Sequence, residues 1–95
     1  MKYTEIGLTD NKEKGSFEMT VGHNKAFIDY QKKDDIYYLL HTEVAEELRG
    51  QGAAEAVVEK TFQHLENHSY KIVPLCSYIQ VYLKRHPQWN RIVKD

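Results

Sequence analysis

An apolar strand that runs directly into a glycine-containing turn and out into an amphipathic helix leaves few folds open to a chain, because it is the strand-to-helix step of a layered α/β structure. Here that unit covers residues 36–62. It begins Ile36-Tyr37-Tyr38-Leu39-Leu40-His41-Thr42-Glu43-Val44, turns through Ala45-Glu46-Glu47-Leu48-Arg49-Gly50-Gln51-Gly52-Ala53-Ala54, and continues as a periodic helix. The first amides of a helix have no intrahelical acceptor, and the helix dipole adds partial positive charge at the same place. Gly50 and Gly52 lack a Cβ, so a phosphate can come close to the backbone. The first expectation is a phosphate-bearing ligand at residues 49–54.

The rest of the chain arranges itself around that unit. Residues 1–14 are polar and weakly patterned, which reads as a short edge element and a loop. Phe17, Met19 and Val21 alternate with Glu18 and Thr20, the period of a half-buried strand. Gly22-His23-Asn24 turns the chain into Ala26–Tyr30, and Lys32-Lys33-Asp34-Asp35 turns it again into the 36–44 strand. Two short connections imply a three-stranded antiparallel meander. The third strand is apolar on nearly every residue up to Leu40, which predicts cover on both faces. A helix is expected from about Gly50 to Asn67, with Ala53, Ala54, Val57, Val58, Thr61, Phe62 and Leu65 as its apolar stripe. Lys71–Leu75 is a short strand ended by Pro74 or placed at an edge by it. A crossover of this length sets that strand parallel to the third, with a right-handed connection. A second helix covers Ser77–Arg85, with Leu75, Tyr78, Ile79, Tyr82 and Leu83 as its stripe. His86-Pro87 stops it, and Trp89, Ile92 and Val93 fold back on the core. The expected class is α/β (α+β), in one domain spanning 1–95.

Charge narrows the choice of partner. The formal net charge is −1, with 28% charged and 41% hydrophobic residues. A general nucleic-acid or anionic-membrane binder needs a concentrated basic surface, so neither partner is expected. No apolar run reaches the roughly 20 residues of a membrane span. The Met1-Lys2-Tyr3 start carries no signal-peptide core, and Cys76 is the only cysteine. Both point to a reducing cytoplasm.

Cys76 immediately precedes the second helix, where the dipole and free amides favour thiolate. The competing reading is a small buried cysteine. Both helix starts follow strands expected to be parallel neighbours. Residues 44–50 and 74–77 then share the carboxyl edge of the sheet, where open α/β structures bind ligands. His41 is the natural partner of a thiol there, as a base or as half of an ion pair, and otherwise is a hydrogen-bonded core histidine. Glu43, two residues on, shares its face at roughly 7 Å; it either orients a proton relay or is the polar end of a strand. His64 and His68 have the spacing of two metal ligands but no third, and the zinc-protease pattern fails around them. They are read as solvated surface histidines, and no metal is expected. The seven tyrosines are read as packing residues, with Tyr78 and Tyr82 nearest to a ligand.

Arg49-Gly50-Gln51-Gly52-Ala53 at a strand-to-helix turn resembles the acetyl-CoA pyrophosphate loop of the GCN5-related N-acetyltransferases. With His41-Thr42-Glu43-Val44, Pro74-Leu75-Cys76-Ser77-Tyr78 and Tyr82-Leu83-Lys84-Arg85-His86-Pro87, the resemblance extends over residues 16–93. It is to the minimal subfamily containing the YjdJ-like proteins of bacteria and their eukaryotic counterparts. It implies a minimal fold of that family, with the parallel strand splayed from strand three. It also implies that the amides of Gly50, Gln51, Gly52, Ala53 and Ala54 hold the pyrophosphate with Arg49 nearby. The end of the third strand, near Glu43 and Val44, would pair with the pantetheine arm. Ser77, Tyr78, Lys84 and Arg85 would line the other side of the cofactor. The cysteine at position 76 is implicated in acetyl transfer in the subfamily. One departure is Glu47, which stands where the usual loop has Gln or Arg.

The implied activity is transfer of acetyl from acetyl-CoA to a small-molecule or protein amine, with Cys76, His41 and Glu43 as catalytic candidates. Either an acetyl-cysteine forms at Cys76, assisted by His41, or the amine attacks directly while His41 or Glu43 takes its proton and the Val44 amide polarises the carbonyl. The alternative is a CoA-binding module without turnover. A monomer or weak homodimer is expected.

Overall fold

A computed structural model describes residues 3–95, so Met1 and Lys2 of the polar N-terminal stretch lie outside the described residues. The elements are β1 (Thr9–Asn11), β2 (Ser16–Val21), β3 (Asn24–Lys33), β4 (Ile36–Val44), α1 (Ala53–Asn67), β5 (Lys71–Pro74) and α2 (Ser77–Arg85). A 3₁₀ turn, Glu46–Leu48, precedes α1, and another, Pro87–Ile92, follows α2. The sheet runs in the order β1-β2-β3-β4-β5, antiparallel through β4 and parallel between β4 and β5. The predicted meander, crossover helix and parallel strand are all present, and β1 is the short edge element. Helix α1 starts at Ala53 rather than near Gly50, because the 3₁₀ turn takes up the intervening chain.

Both helices pack on one face of the sheet. Phe17, Met19, Ala26, Ile28 and Leu39 from the strands meet Val57, Phe62 and Leu65 of α1, all without solvent exposure. The α1 stripe includes Ala56, with Ala54 only half-buried. Helix α2 lies beside α1: the Phe62 and Tyr82 rings meet edge to face, and the Tyr82 hydroxyl donates to Glu59. Trp89 also donates to Glu59 and packs against Phe62, which pins the C-terminal 3₁₀ turn to the helix pair. Burial, and then the Glu59 carboxylate, push the Tyr82 phenol well above its ordinary range, so it remains a donor. The buried stripe of α2 runs through Cys76, Ile79, Tyr82 and Leu83, whereas Leu75 and Tyr78 face outward. A helix that begins at Ser77 turns those two away from the sheet. Val93 bridges to Ile72 and closes the outer edge of β5.

The register of β4 on β3 changes once. Tyr30 pairs with Leu39 and the preceding Asp29 pairs with His41, so Leu40 is one extra residue in β4. A bulge of this kind reverses which side chains face the core. Before it, Tyr37 and Leu39 are buried. After it, Thr42 and Val44 stand opposite the buried Ile28 and Ala26. His41 and Glu43 therefore fall on the helix-free face, and Leu40 is 36% exposed rather than covered on both sides.

That helix-free face holds one built polar cluster. The Glu18 carboxylate accepts hydrogen bonds from Ser16 Oγ at 2.7 Å and from Asn11 Nδ2 and Lys25 Nζ at 3.2 Å each. Burial alone would raise its pKa, but these donors outweigh burial and hold it below the ordinary 4.5. A carboxyl depressed in this way stabilises the fold above its unfolded pKa, and the contribution fades as pH falls through the lower folded value. Glu18→Gln should reduce stability at pH 7 by about 1–3 kcal/mol. In urea titrations the gap between variant and wild type should close as pH is lowered through and below 4.5.

Candidate functional site

The glycine turn is built as an anion cradle. Gly50 and Gly52 have φ of +74° and +80°, backbone conformations that L side chains rarely adopt, and a Cβ on either would meet open space. Gly52 is the N-cap of α1, and no side chain caps the helix. The amides of Ala53, Ala54 and Glu55 therefore begin the helix without intrahelical acceptors. The Gln51 amide is spent on the Leu48 carbonyl at 3.3 Å, and its side chain donates to the Glu47 carbonyl at 2.8 Å. Gln51 thus holds the turn together, leaving the other amides of the 50–54 stretch to face outward. The cavity beside them has a volume of about 250 Å³. Arg49, Tyr78, Val44, Leu48 and Glu55 line it together with the turn. These residues fit a pyrophosphate: uncapped amides, glycine-lined approach and one guanidinium.

Next to the cradle the sheet opens. Pairing of β5 with β4 ends at Leu39 and Pro74. The Leu39 carbonyl then receives two amides, those of Leu75 and Cys76, each at 3.0 Å. Beyond it β4 continues five residues to Val44 with no partner strand on that side among the described residues. The Ala45 amide bonds the Lys25 carbonyl at 2.8 Å, toward β3. Backbone groups of successive strand residues point to alternate edges, so the peptide groups of Val44 and Thr42 face the open gap.

Two pairs of side chains flank this gap, one on each face of the sheet. On the helix side, Cys76 is 6% exposed and its sulfur lies 3.3 Å from Thr42 Oγ1. On the helix-free side, His41 Nε2 lies 3.1 Å from Glu43 Oε2, with side chains 57% and 53% exposed. The expected His41–Cys76 partnership is not formed. The bulge at Leu40 sends the imidazole to the opposite face, and the thiol's neighbour is a hydroxyl. Sequence reasoning passed over Thr42; the signal that would have found it is its parity with Leu39 once one extra residue is allowed.

Of the remaining candidates, Ser77 opens α2 in an exposed position next to Cys76. Burial, and then the charge of Glu55, push up the pKa of Tyr78, which keeps its phenol a hydrogen-bond donor at the cavity wall. Lys84 and Arg85 do not line this cavity, although the charge of Arg85 reaches the Tyr78 phenol and opposes the rise in its pKa. They are exposed in the last turn of α2, roughly 10 Å along the helix from Tyr78. Among the described residues no group of three or more His, Cys, Asp or Glu side chains forms a metal site. No helix is long and apolar enough to cross a membrane.

An uncapped helix start beside two parting parallel strands is the arrangement at which open α/β proteins bind ligands, along the carboxyl edge of the sheet. Comparison with known proteins makes the class specific. Residues 16–92 match the family model described as GCN5-related N-acetyltransferase, and the chain belongs to that family. The NMR solution structure of a GCN5-like protein from Staphylococcus aureus superposes with a TM-score of 0.69 at 21% identity. The alignment covers 96% of this chain and 90% of that one, which shows a shared fold. Acyl transfer is therefore the chemistry that the site must account for.

The cradle's backbone carries its own test. Gly52→Ala forces a left-handed φ on a residue with a Cβ, so equilibrium denaturation should show a loss of about 1–2 kcal/mol. Because the added methyl meets open space, Gly52→Asn, which tolerates that conformation better, should recover part of the loss.

Proposed function

We propose that the protein is an acetyl-CoA-dependent N-acetyltransferase that acetylates an amine by direct transfer. The observation that carries this reading is the adjacency of the uncapped cradle at residues 49–54 to the unpaired edge of β4 at residues 40–44. Gly50, Gly52, Ala53 and Ala54 would hold the pyrophosphate through their amides, with Arg49 opposing its charge. Val44 would hydrogen-bond the pantetheine arm along the open edge. Acetyl-CoA, when bound, supplies a thioester carbonyl that an amine can attack. The Val44 amide would orient and polarise that carbonyl. The amine approaches from the helix-free face; His41 would accept its proton at Nδ1, the ring nitrogen left free when Nε2–H donates to Glu43, and the carbonyl–sulfur bond breaks to release CoA as its thiol.

Cys76 lies on the opposite side of the gap, buried against Thr42 with no base in contact. That placement supports a positioning role in the cofactor channel over a nucleophilic one. His41→Ala and Glu43→Gln should each lower kcat on an amine panel, by about 10²–10⁴-fold and less respectively, while acetyl-CoA binding by calorimetry stays unchanged. Cys76→Ala should retain most of the turnover. Intact mass after incubation with acetyl-CoA should then show no cysteine adduct of about +42 Da; an adduct lost in Cys76→Ala would replace direct transfer by the acetyl-cysteine route. Tight CoA binding without turnover of any amine would leave a binding module instead.

A further inference from the structure

A cavity of about 670 Å³ lies at the other end of the sheet, lined by residues that the acetyl-transfer reading does not use. Five of its lining side chains, with the buried Phe17 behind them, form a closed circuit of rings. Phe17 stacks on Tyr30 at 4.6 Å, Tyr30 meets Tyr37 at 5.0 Å, and Tyr37 meets Tyr70 at 5.1 Å. Tyr70 then stacks near-parallel on His68 at 6.2 Å, His68 meets His64 at 4.5 Å, and His64 returns to Phe17 at 5.6 Å. Five elements of the chain converge to make this circuit: β2, β3, β4, the end of α1 and the residue entering β5. The two histidines read from sequence as solvated surface are part of it, and His64 is only half-exposed.

The polar groups around the rings decide what would fit. Lys12 and Lys32 line the cavity, and neither forms a salt bridge among the described residues. The carboxylate lining it, Asp10, is already engaged by the Tyr30 hydroxyl at 2.5 Å. Two ammonium groups thus stand against one carboxylate, whose charge still acts on Tyr37 and His64, and the balance is one positive charge. The hydroxyls of Tyr37 and Tyr70 make no hydrogen bond within the described chain, and burial holds Tyr37 protonated, its pKa pushed up to about 12. Burial, and then His68, lower the pKa of His64, so it offers a neutral ring nitrogen. A cationic guest is disfavoured, because Lys32 Nζ already sits 5.3 Å from the Tyr70 ring and 5.9 Å from the Tyr37 ring, over the faces a cation would use.

We propose that this cleft is a second binding site, taking a small aromatic anion: a flat ring bearing a carboxylate or a phosphate. The ring lies among Tyr37, Tyr70 and His64, and the anion reaches Lys32 and Lys12. The volume suits such a ligand. Tyr37 and His41 are four residues apart along β4, so the site is roughly 13 Å from the proposed base and on the other face of the strand from it. It stands or falls independently of that chemistry.

The test is an NMR titration of the full chain with benzoate and with phenyl phosphate, against inorganic phosphate, phenol and benzylamine. One or both aromatic anions should give saturable shifts at Lys32, Tyr37, His64 and Tyr70, and which of them does so identifies the acid group. Phosphate and phenol should bind far more weakly. Lys32→Gln, at an exposed position that the fold does not need, should weaken binding about tenfold or more, while Lys32→Arg should restore it. Acetyl transfer should be unchanged in both variants. Equal or tighter binding of benzylamine would overturn the proposal in favour of a cation cage. Binding of phosphate as tight as that of phenyl phosphate would show that the rings take no part. Absence of saturable shifts up to about 10 mM of either anion would reduce the circuit to packing.

Discussion

The site depends on the carbonyl of Leu39. It is the last point at which β4 and β5 are tied together, and it accepts two amides, from Leu75 and Cys76, where a regular parallel ladder would supply one. Those bonds stop β5, start α2 and set Cys76 at the N-cap of the new helix. One residue later the extra Leu40 reverses the facing of β4. The two events together open the edge of β4 and divide its polar residues between the faces, with Thr42 toward the helices and His41 and Glu43 away from them. A gap reached from both sides of a sheet suits group transfer between two molecules, since each can arrive from its own face.

The chain completes this with few parts. Both helices cover the same face, so the helix-free face is held by Glu18 and its donors and by exposed polar side chains. On the covered side, Glu59 ties α1, α2 and the C-terminal turn together through Tyr82 and Trp89. The aromatic circuit at the far end packs Tyr37, near the start of β4, against Phe17, Tyr30 and Tyr70.

Much of this was legible in the residues. Alternation in Phe17–Val21, the two polar turns and the glycine turn into a periodic helix led to the meander, the crossover and the parallel strand. Each rests on local periodicity or on a turn whose conformation is written in its own residues. The cradle was legible for the same reason, because Gly50 and Gly52 are where the backbone takes positive φ. Leu40 was not. Its apolar side chain reads as one more buried strand residue, and nothing local marks it as extra. Reading straight through it placed His41 beside Cys76. Similarly, His64 and His68 looked like the fraying end of a helix, because Phe17, Tyr30 and Tyr70 come to them only through sheet order.

By itself, then, the sequence determined the elements, their order and the glycine-led start of α1, all of which follow from side-chain period and glycine conformation within a few residues. The tertiary structure decided the rest: which face each polar residue of β4 occupies, where β4 and β5 part, and which rings close the distant cleft. These follow from register and from contacts between residues far apart in the chain. A single unpaired residue or one carbonyl with two partners settles them, and neither leaves a mark on local pattern.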